Sequence, residues 1–372
     1  MKIAIFYNLT FSGAKRTVFE HARGLRELGH TIDVYTLDEG HDIFDPGSVV
    51  DKEYRYAYEQ KIINLPLLKK ITNDLSDFYL LKSVHKKIAG DIDSKKYDIT
   101  LIHTDKFTQA PFLLRFLKTK NVYFCLEPLK IAYEYGLRIS DNFSFLNKIY
   151  EVLNRSIRKK IDRDNARASN SILTISYFGR ELMIQAFDLY PKVSYLGVDE
   201  KTFKNLEIPK KNQVLFMGQK LKMNGYDYAQ EAIRLVPKNI RPELKILPIS
   251  EDRSESLSNM GIVELYNESL ITLSLSNFDT FGLVPLESMA CEVPVIAFNV
   301  AGYRETVIDK KTGYLVGFDA KEIANKITLL LKNPQMAQEM GKAGREWIKQ
   351  KWTWKIQIES LEKLLLAFSK KK

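Results

Sequence analysis

Short apolar runs alternate along this chain with longer stretches in which apolar side chains recur every three or four positions. The first pattern is that of a strand buried on both faces and the second that of a helix covering it, so their alternation predicts α/β architecture with parallel sheets. Residues 2–7 read as a strand, 8–13 as a loop, and 14–28 as a helix with Val18, Ala22, Leu25 and Leu28 on its apolar stripe and Gly29 as its C-cap. A strand over 31–37 completes a βαβ unit, whose right-handed crossover puts both strand ends on one edge of the sheet. Further strands are predicted over 97–103, 121–126 and 171–176, and then over 214–217, 244–247, 270–275 and 293–298. Helical spacing covers 149–168, 284–290, 321–331, 336–349 and 354–368. Residues 54–58 crowd three aromatics together without a clear period, and the apolar, basic-flecked stretch 65–81 is expected to be a core helix rather than a lid or a membrane-facing helix.

With 372 residues and 45% hydrophobic composition, the chain is long enough for two domains, each with its own core. Cys125 and Cys291 are too few for a disulfide framework or a zinc cluster, and both lie in apolar runs. The segment MKIAIFYN carries one charge and reads as a first strand, and no apolar stretch reaches the length of a membrane span. The expected location is therefore the cytoplasm, with peripheral contact at the inner face of the membrane. The net charge of +10 is spread along the chain and suits anionic lipid head groups or phosphorylated substrates. Nucleic acid is excluded as a partner, because no zinc-finger spacing, RNP motif or aromatic-interleaved basic stripe is present. The amphipathic 149–168 segment, with Arg155, Arg158, Lys159, Lys160, Arg163 and Arg167, reads as a solvated helix face that also permits interfacial membrane binding. Two D-x-D strings, Asp91-Ile92-Asp93 and Asp162-Arg163-Asp164, follow no strand and are discounted as metal sites.

The chemistry concentrates in SNFDTFGLVPLESMACEVPVIAFNVAGYRE, residues 276–305. A buried strand, a turn bearing Asp279, Gly282, a helix start bearing Glu287, a second strand and a second small turn at Ala301-Gly302 follow in order. A strand end that turns into a helix N-terminus presents unpaired amides and a positive dipole end, which suits an anion. The stretch resembles the E-x7-E and following Gly-Gly region of retaining glycosyltransferases of the GT4 type (glycosyltransferase group 1). Asp279 stands where the family has its first Glu, Glu287 matches the second, and Ala301-Gly302 occupies the Gly-Gly position. The resemblance implies the GT-B fold, with two Rossmann-like doubly wound domains facing a central cleft. The implied domains are an acceptor-side domain over 1–195, a nucleotide-sugar-binding domain over 205–350, and a last helix, 351–372, crossing back to the first. The boundary is placed by 193–203, which is similar to the family's linker of strand, Gly-Val-Asp and Phe.

If the resemblance carries, Glu287 holds ribose hydroxyls, Asp279 holds a sugar hydroxyl, and the amides of Thr280, Phe281, Gly282 and Leu283 face the sugar and diphosphate. The loop running from Gly218 to Gly225 resembles the family's G-R-x-x-x-x-K-G, but Gln219 and Asn224 stand in place of Arg and Lys. Losing a preorganised donor to a leaving group costs about 3 kcal/mol of transition-state stabilisation, so Lys220 and Lys222 are the substitutes to examine. The Pro248-Ile249-Ser250 segment replaces a Gly-containing turn, and the following stretch is short, which leaves the base unspecified. On the acceptor side, Ser12-Gly13 resembles the family's Gly-Gly loop with Ser12 replacing the first Gly. The family's acceptor His falls on Leu126 here, so His103 and Glu127, at predicted strand ends, are the candidate acceptor residues. Asp279, Glu287, His103 and Glu127 are thus the catalytic candidates.

The implied activity is metal-independent, retaining transfer of a sugar from a nucleotide sugar, UDP- or GDP-linked, to a glycan or lipid-linked acceptor in cell-envelope polysaccharide synthesis. No cofactor is implied. The alternative is a catalytically silent relative that binds nucleotide sugar or glycan, or serves as a scaffold. A nicotinamide dehydrogenase loses its main support, since no G-x-G-x-x-G follows a strand.

Overall fold

The computed structural model describes residues 1–37, 43–59, 69–133, 144–247 and 259–370. The expectation for 248–250 lies outside them, as do the first residues of the 65–81 stretch. The chain forms two compact units, one of Met1–Ile175, Gly179–Ser194 and Ile358–Lys372, the other of Ser176–Phe178 and Tyr195–Gln357.

The first unit carries, in chain order, β1 (Lys2–Asn8), α1 (Gly13–Glu27), β2 (Thr31–Thr36), β3 (Lys52–Arg55), α2 (Lys69–Ser94), β4 (Ile99–Asp105), β5 (Asn121–Phe124), α3 (Lys130–Tyr133), α4 (Phe145–Arg167), β6 (Ser171–Thr174), α5 (Tyr177–Phe187), whose first two residues belong to the second unit, and β7 (Lys192–Val193). Its strands pair in parallel in the order β3-β2-β1-β4-β5-β6-β7. The order reverses between β1 and β4, the switch point at which doubly wound sheets leave a crevice outside their C-terminal strand ends. The β1–β4 register shifts between Phe6 and Asn8, so that Asn8 faces Asp105 and its Nδ2 donates to Asp105 Oδ2 over 2.6 Å. Gly29 ends α1 with φ +87°, a left-handed C-cap that a Cβ would oppose.

The second unit carries β8 (Gln213–Met217), α6 (Tyr226–Leu235), β9 (Glu243–Leu247), α7 (Asn259–Glu268), β10 (Ile271–Ser274), α8 (Leu283–Ala290), β11 (Val295–Phe298), α9 (Tyr303–Thr306), β12 (Gly313–Val316), α10 (Ala320–Lys332) and α11 (Pro334–Trp347). Its parallel sheet runs β12-β11-β10-β8-β9, with a switch point between β8 and β10. The last helix, α12 (Trp354–Lys370), starts in this unit and belongs to the first from Ile358 onward. Strands over 214–217, 244–247, 270–275 and 293–298 are therefore present within a residue or two of their predicted bounds.

Three strands escape the apolar pattern. β3 is an edge strand of sequence KEYR whose Tyr54 stacks on Tyr35 of β2 at 4.7 Å, so the aromatic cluster at 54–58 is in part a sheet edge. β7 and β12 are short and lack a long apolar run. In the 65–81 stretch, Leu81 is buried on α2 with Ile88, Ala89 and Ile92 further along, while Tyr79 is 75% exposed, so the described part covers the core with one side only. Both D-x-D strings are structural. Asp91 accepts from the Tyr56 hydroxyl, Asp93 accepts from the amides of Lys118 and Thr119, and Asp162 accepts from Ala110 N at 3.0 Å and Leu129 N at 3.1 Å. Burial pushes Asp162 up to about 7.

Within the first unit α12 lies against α1. A Cβ added to Gly24 would fall 2.6 Å from Ile358 Cγ1, and Ile358 is itself buried. Gly24→Ala is expected to destabilise by about 1–3 kcal/mol through overpacking and Ile358→Ala by about 2–5 kcal/mol through cavity formation. Combined, the two should cost less than their sum, which denaturant unfolding of the two single variants and the double variant measures; strict additivity would refute the contact.

Candidate functional site

Three strand ends of the second unit lie side by side, because β8 pairs with β10 and β10 with β11. Each hands over to a helix start: β8 through 218–225 to α6, β10 through 275–282 to α8, and β11 through 299–302 to α9. The loops stack closely because glycines stand where they touch. A Cβ on Gly225, at φ +77°, would lie 2.0 Å from Leu275 O, and Asn277 N donates to Met223 O at 3.1 Å beside it. A Cβ on Gly302 would lie 2.5 Å from Phe281 Cα, and Gly302 N donates to Asp279 O at 3.0 Å.

Asp279 closes its own turn. Its Oδ1 accepts from Phe281 N at 3.0 Å and Gly282 N at 2.8 Å, and the buried Tyr303 hydroxyl lies against its carboxylate. Burial and this carboxylate both raise the Tyr303 phenol. The expectation that the amides from Thr280 to Leu283 face a ligand is thereby narrowed, since those of Phe281 and Gly282 are already bonded. Phe281 is buried, packing on Tyr195 and Trp352 with ring centroids 6.2 and 5.6 Å away, and Thr280 is buried with its carbonyl accepting from Ser176 Oγ at 2.6 Å. Helix geometry leaves the first-turn amides of Leu283 and Val284 without an intrahelical acceptor, and Pro285 has no N–H. They are the donors that α8 can offer an anion.

Glu287 lies one turn into α8 and is 8% exposed, its Oε2 accepting from Tyr266 Oη at 3.1 Å. Tyr266 packs on Phe203 at 6.2 Å, so the carboxylate is held by a core aromatic and has little rotamer freedom to lose on binding. In the 218–225 loop, Gly218 is buried, whereas Gln219, Lys220 and Lys222 are exposed and Asn224 is half-buried. The expected substitutes for the missing cations are therefore at the surface beside the α6 start. Among the described residues no group of three or more His, Cys, Asp or Glu side chains is placed to hold a metal ion.

Of the first unit's candidates, Ser12 and Gly13 follow β1 at the β1/β4 switch point, His103 lies on β4 and Glu127 follows β5, and they do different work. Ser12 N-caps α1, its Oγ accepting from Lys15 N at 3.3 Å and donating to Thr10 O at 3.0 Å, while Gly13 is exposed. Glu127 follows β5, half-buried, with Oε1 3.1 Å from Lys130 Nζ and its carbonyl accepting from Gln109 Nε2 at 2.8 Å. His103 is not at a strand end: β4 continues to Asp105, and the ring is 1% exposed between His21 and Phe124, 5.2 Å from each. Burial holds its imidazole down to about 3. His103 is in this structure a core residue rather than an exposed acceptor contact.

Sequence reasoning passed over Glu305 and the chain segment it holds. Its carboxylate accepts from Tyr177 N at 3.0 Å, Phe178 N at 3.1 Å and Tyr195 Oη at 3.0 Å, binding 176–178 into the second unit. An acid three residues after the Ala301-Gly302 turn was the available signal. Tyr266 and Tyr303 carried none, because a lone tyrosine in an apolar segment reads as packing.

Residues 254–347 match the family described as glycosyl transferases group 1. The GDP-mannose-dependent alpha-(1-6)-phosphatidylinositol monomannoside mannosyltransferase of Mycolicibacterium smegmatis is 44% identical over 85 residues, which is 23% of this chain and only 22% of that enzyme. The capsular polysaccharide biosynthesis glycosyltransferase CapM of Staphylococcus aureus is 26% identical over 346 residues, covering 82% of this chain and 88% of CapM. Among solved structures, Anabaena Alr3699/HepE in complex with UDP and glucose superposes with a TM-score of 0.69 at 16% identity, over 99% of this chain and all of that one. The fold is that of GT-B glycosyltransferases.

Two outcomes follow from the packing. Gly302→Ala should destabilise the second unit by about 1–3 kcal/mol, since its Cβ meets backbone rather than a movable side chain; an unchanged melting temperature would refute the close approach. The His21 and His103 imidazoles are both held below their ordinary value of 6.5, by burial first and, for His21, by the neighbouring His103. The unfolded chain therefore takes up protons first, and stability is full above about pH 6.5 and falls as pH drops toward about 3. Replacing one such group, as in His103→Leu, should flatten that fall by about 1.4 kcal/mol per pH unit between about pH 6 and 4, read from denaturant midpoints across pH.

Proposed function

Since residues 254–347 of this chain are a glycosyl transferases group 1 segment and its fold is GT-B, we propose that it moves a sugar from a nucleotide-sugar donor to a glycan or lipid-linked acceptor with retention of configuration. The observation that carries the reading is the convergence of three strand-to-helix turns at the β8/β10 switch point with a fixed carboxylate, Glu287, beside them. Nucleotides bind doubly wound sheets at such a place. In this reading Glu287 accepts the ribose hydroxyls. The amides of Leu283 and Val284, with the dipole of α8, face the diphosphate. Lys220 and Lys222 supply the positive charge that Gln219 and Asn224 do not.

Asp279 has a positioning role. Its Oδ1 is engaged by two amides and its carboxylate is also bonded by the buried Tyr303 hydroxyl, so a sugar hydroxyl would share a carboxylate that already holds the turn. The leaving phosphate oxygen accepts the acceptor proton as the new bond forms on the same face, so the donor's own phosphate serves as base and neither metal nor cofactor enters. The acceptor is taken up by the first unit at its C-terminal strand ends, where Ser12 and Gly13 follow β1 and Glu127 follows β5. UDP- and GDP-sugars are the donors to try first: one relative is named as GDP-mannose-dependent, and a solved neighbour holds UDP and glucose. Cell-envelope polysaccharide synthesis at the inner face of the membrane fits the capsular relative.

Calorimetric titration with UDP-, GDP- and ADP-sugars, with donor hydrolysis followed in parallel, tests the reading. One donor should bind without added metal and Glu287→Gln should weaken it by about 10- to 100-fold, the worth of charged hydrogen bonds of about 1.5–3 kcal/mol. Replacing Lys220 and Lys222 together with Ala should slow turnover at least about 100-fold, as for a lost leaving-group donor. Binding to none of the three donors by a folded protein would overturn the proposal; equal turnover after loss of both lysines would remove them from it.

A further inference from the structure

Helix α4 leaves a large apolar stripe uncovered. Phe145, Leu146, Ile149, Val152, Leu153 and Ile157 are all exposed, the first two by 77% and 75%. Their spacing places them on one face over three turns. The opposite face is anchored: Tyr150 Oη and Asn154 Nδ2 donate to Asp74, Arg158 Nη1 donates to Phe107 O at 3.0 Å, and Asp162 takes the amides of Ala110 and Leu129. The apolar stripe therefore does not arise from a helix detached from its unit; it points outward while the other face is fixed.

The exposed face changes character along its length. Beyond Ile157 the same face continues as Lys160, Arg163 and Arg167, all exposed, with Lys159 at its edge. The helix carries seven basic residues against three acidic ones, Glu151, Asp162 and Asp164, and Asp162 is buried. No helix among the described residues is long and apolar enough to cross a membrane. An apolar half followed by a basic half is the pattern of a segment that lies in a bilayer interface, with its apolar turns among the acyl chains and its cations among anionic head groups.

We propose that the 145–157 half of α4 inserts shallowly into an anionic lipid bilayer, with Lys159, Lys160 and Arg163 contacting its head groups, whereas Arg167 is held by Phe187 O and Asp188. Charge decides between this occupant and a second copy of the chain. Paired parallel, two α4 faces would set their basic halves against each other; paired antiparallel, each apolar half would meet the other's cations. An anionic surface neutralises the basic half and buries the apolar half together. This deepens the membrane side of the proposed function but does not rest on transfer activity.

The test uses the full chain with vesicles of equal parts phosphatidylcholine and phosphatidylglycerol, against vesicles of phosphatidylcholine alone. Cosedimentation should favour the anionic vesicles by at least about tenfold, since several cations near such a surface add their attractions. Leu146→Glu with Leu153→Glu should abolish binding to both vesicle types, and Lys159→Glu with Lys160→Glu should remove the anionic preference by at least about tenfold. Phe145→Trp should be quenched by brominated acyl chains, which reports insertion. These positions are exposed, so an unchanged melting curve checks that each variant folds. Wild-type levels of vesicle binding by the Leu146/Leu153 variant, or absence of quenching at position 145, would overturn the proposal. So would a dimer in size-exclusion chromatography that the Leu146/Leu153 variant dissociates, which would assign the face to a second copy. Donor titration is done without lipid, so failure here leaves the transfer reading standing, and failure there leaves this one.

Discussion

The second unit depends on how closely one strand-end turn approaches the next. At Gly225 against Leu275, and again at Gly302 against Phe281, the distance between backbones is too short for a Cβ. Gly282 adds a close approach of another kind, with φ +94° and the Tyr303 ring 2.9 Å from where its Cβ would be. These contacts decide more than loop shape. They bring Gly302 N to Asp279 O, set Phe281 into the aromatic pocket of Tyr195 and Trp352, and so fix the start of α8, from which Glu287 projects. A carboxylate on a helix start is useful only if that start cannot rock, and here it is wedged on one side by a ring and on the other by backbone.

Much of this framework is legible in the amino-acid order because parallel strands are buried on both faces and therefore read as apolar runs. β10 and β11 are found within two residues of where the runs at 270–275 and 293–298 put them, and the turns that follow them fall where Gly282 and Gly302 punctuate the pattern. β3 is hidden for the converse reason: at the sheet edge KEYR needs only one buried face, and its stabilising partner, Tyr35, is supplied by another strand. The motif stretch 276–305 lies wholly within the 254–347 segment that matches the glycosyl transferases group 1 family.

What spacing does not encode is which group a side chain chooses as its partner. Asp279 has one methylene fewer than the Glu expected there, and the shorter arm reaches back to the amides of Phe281 and Gly282 rather than outward. His103 shows the same limit through register. The apolar run ends at 103, but the pairing with β1 continues to Asp105, where Asn8 meets the aspartate, so two more residues are in the sheet and the histidine lies below its rim. A polar residue at the end of a hydrophobic run looks exposed in a sequence; one extra pair of ladder residues makes it core.

The electrostatics of these strand-end loops then take a particular form. An anion already resides at the α8 start, since Asp279 accepts two of the turn's amides, and part of the helix field that would otherwise meet a diphosphate is spent on it. In the neighbouring loop Gln219 and Asn224 are neutral, so fixed positive charge is absent from both positions where the family motif has it. The cations present, Lys220 and Lys222, are on exposed side chains whose ordering costs up to about 2 kcal/mol each in rotamer freedom. Such charge is recruited by a ligand rather than preorganised for one. A lysine that must be ordered before it can neutralise a phosphate contributes its charge late, as the leaving group forms. Under the proposed donor binding it would also lose part of that contribution to entropy, and discrimination would rest on the rigid carboxylate of Glu287 and on the Gly-packed turns more than on the cations.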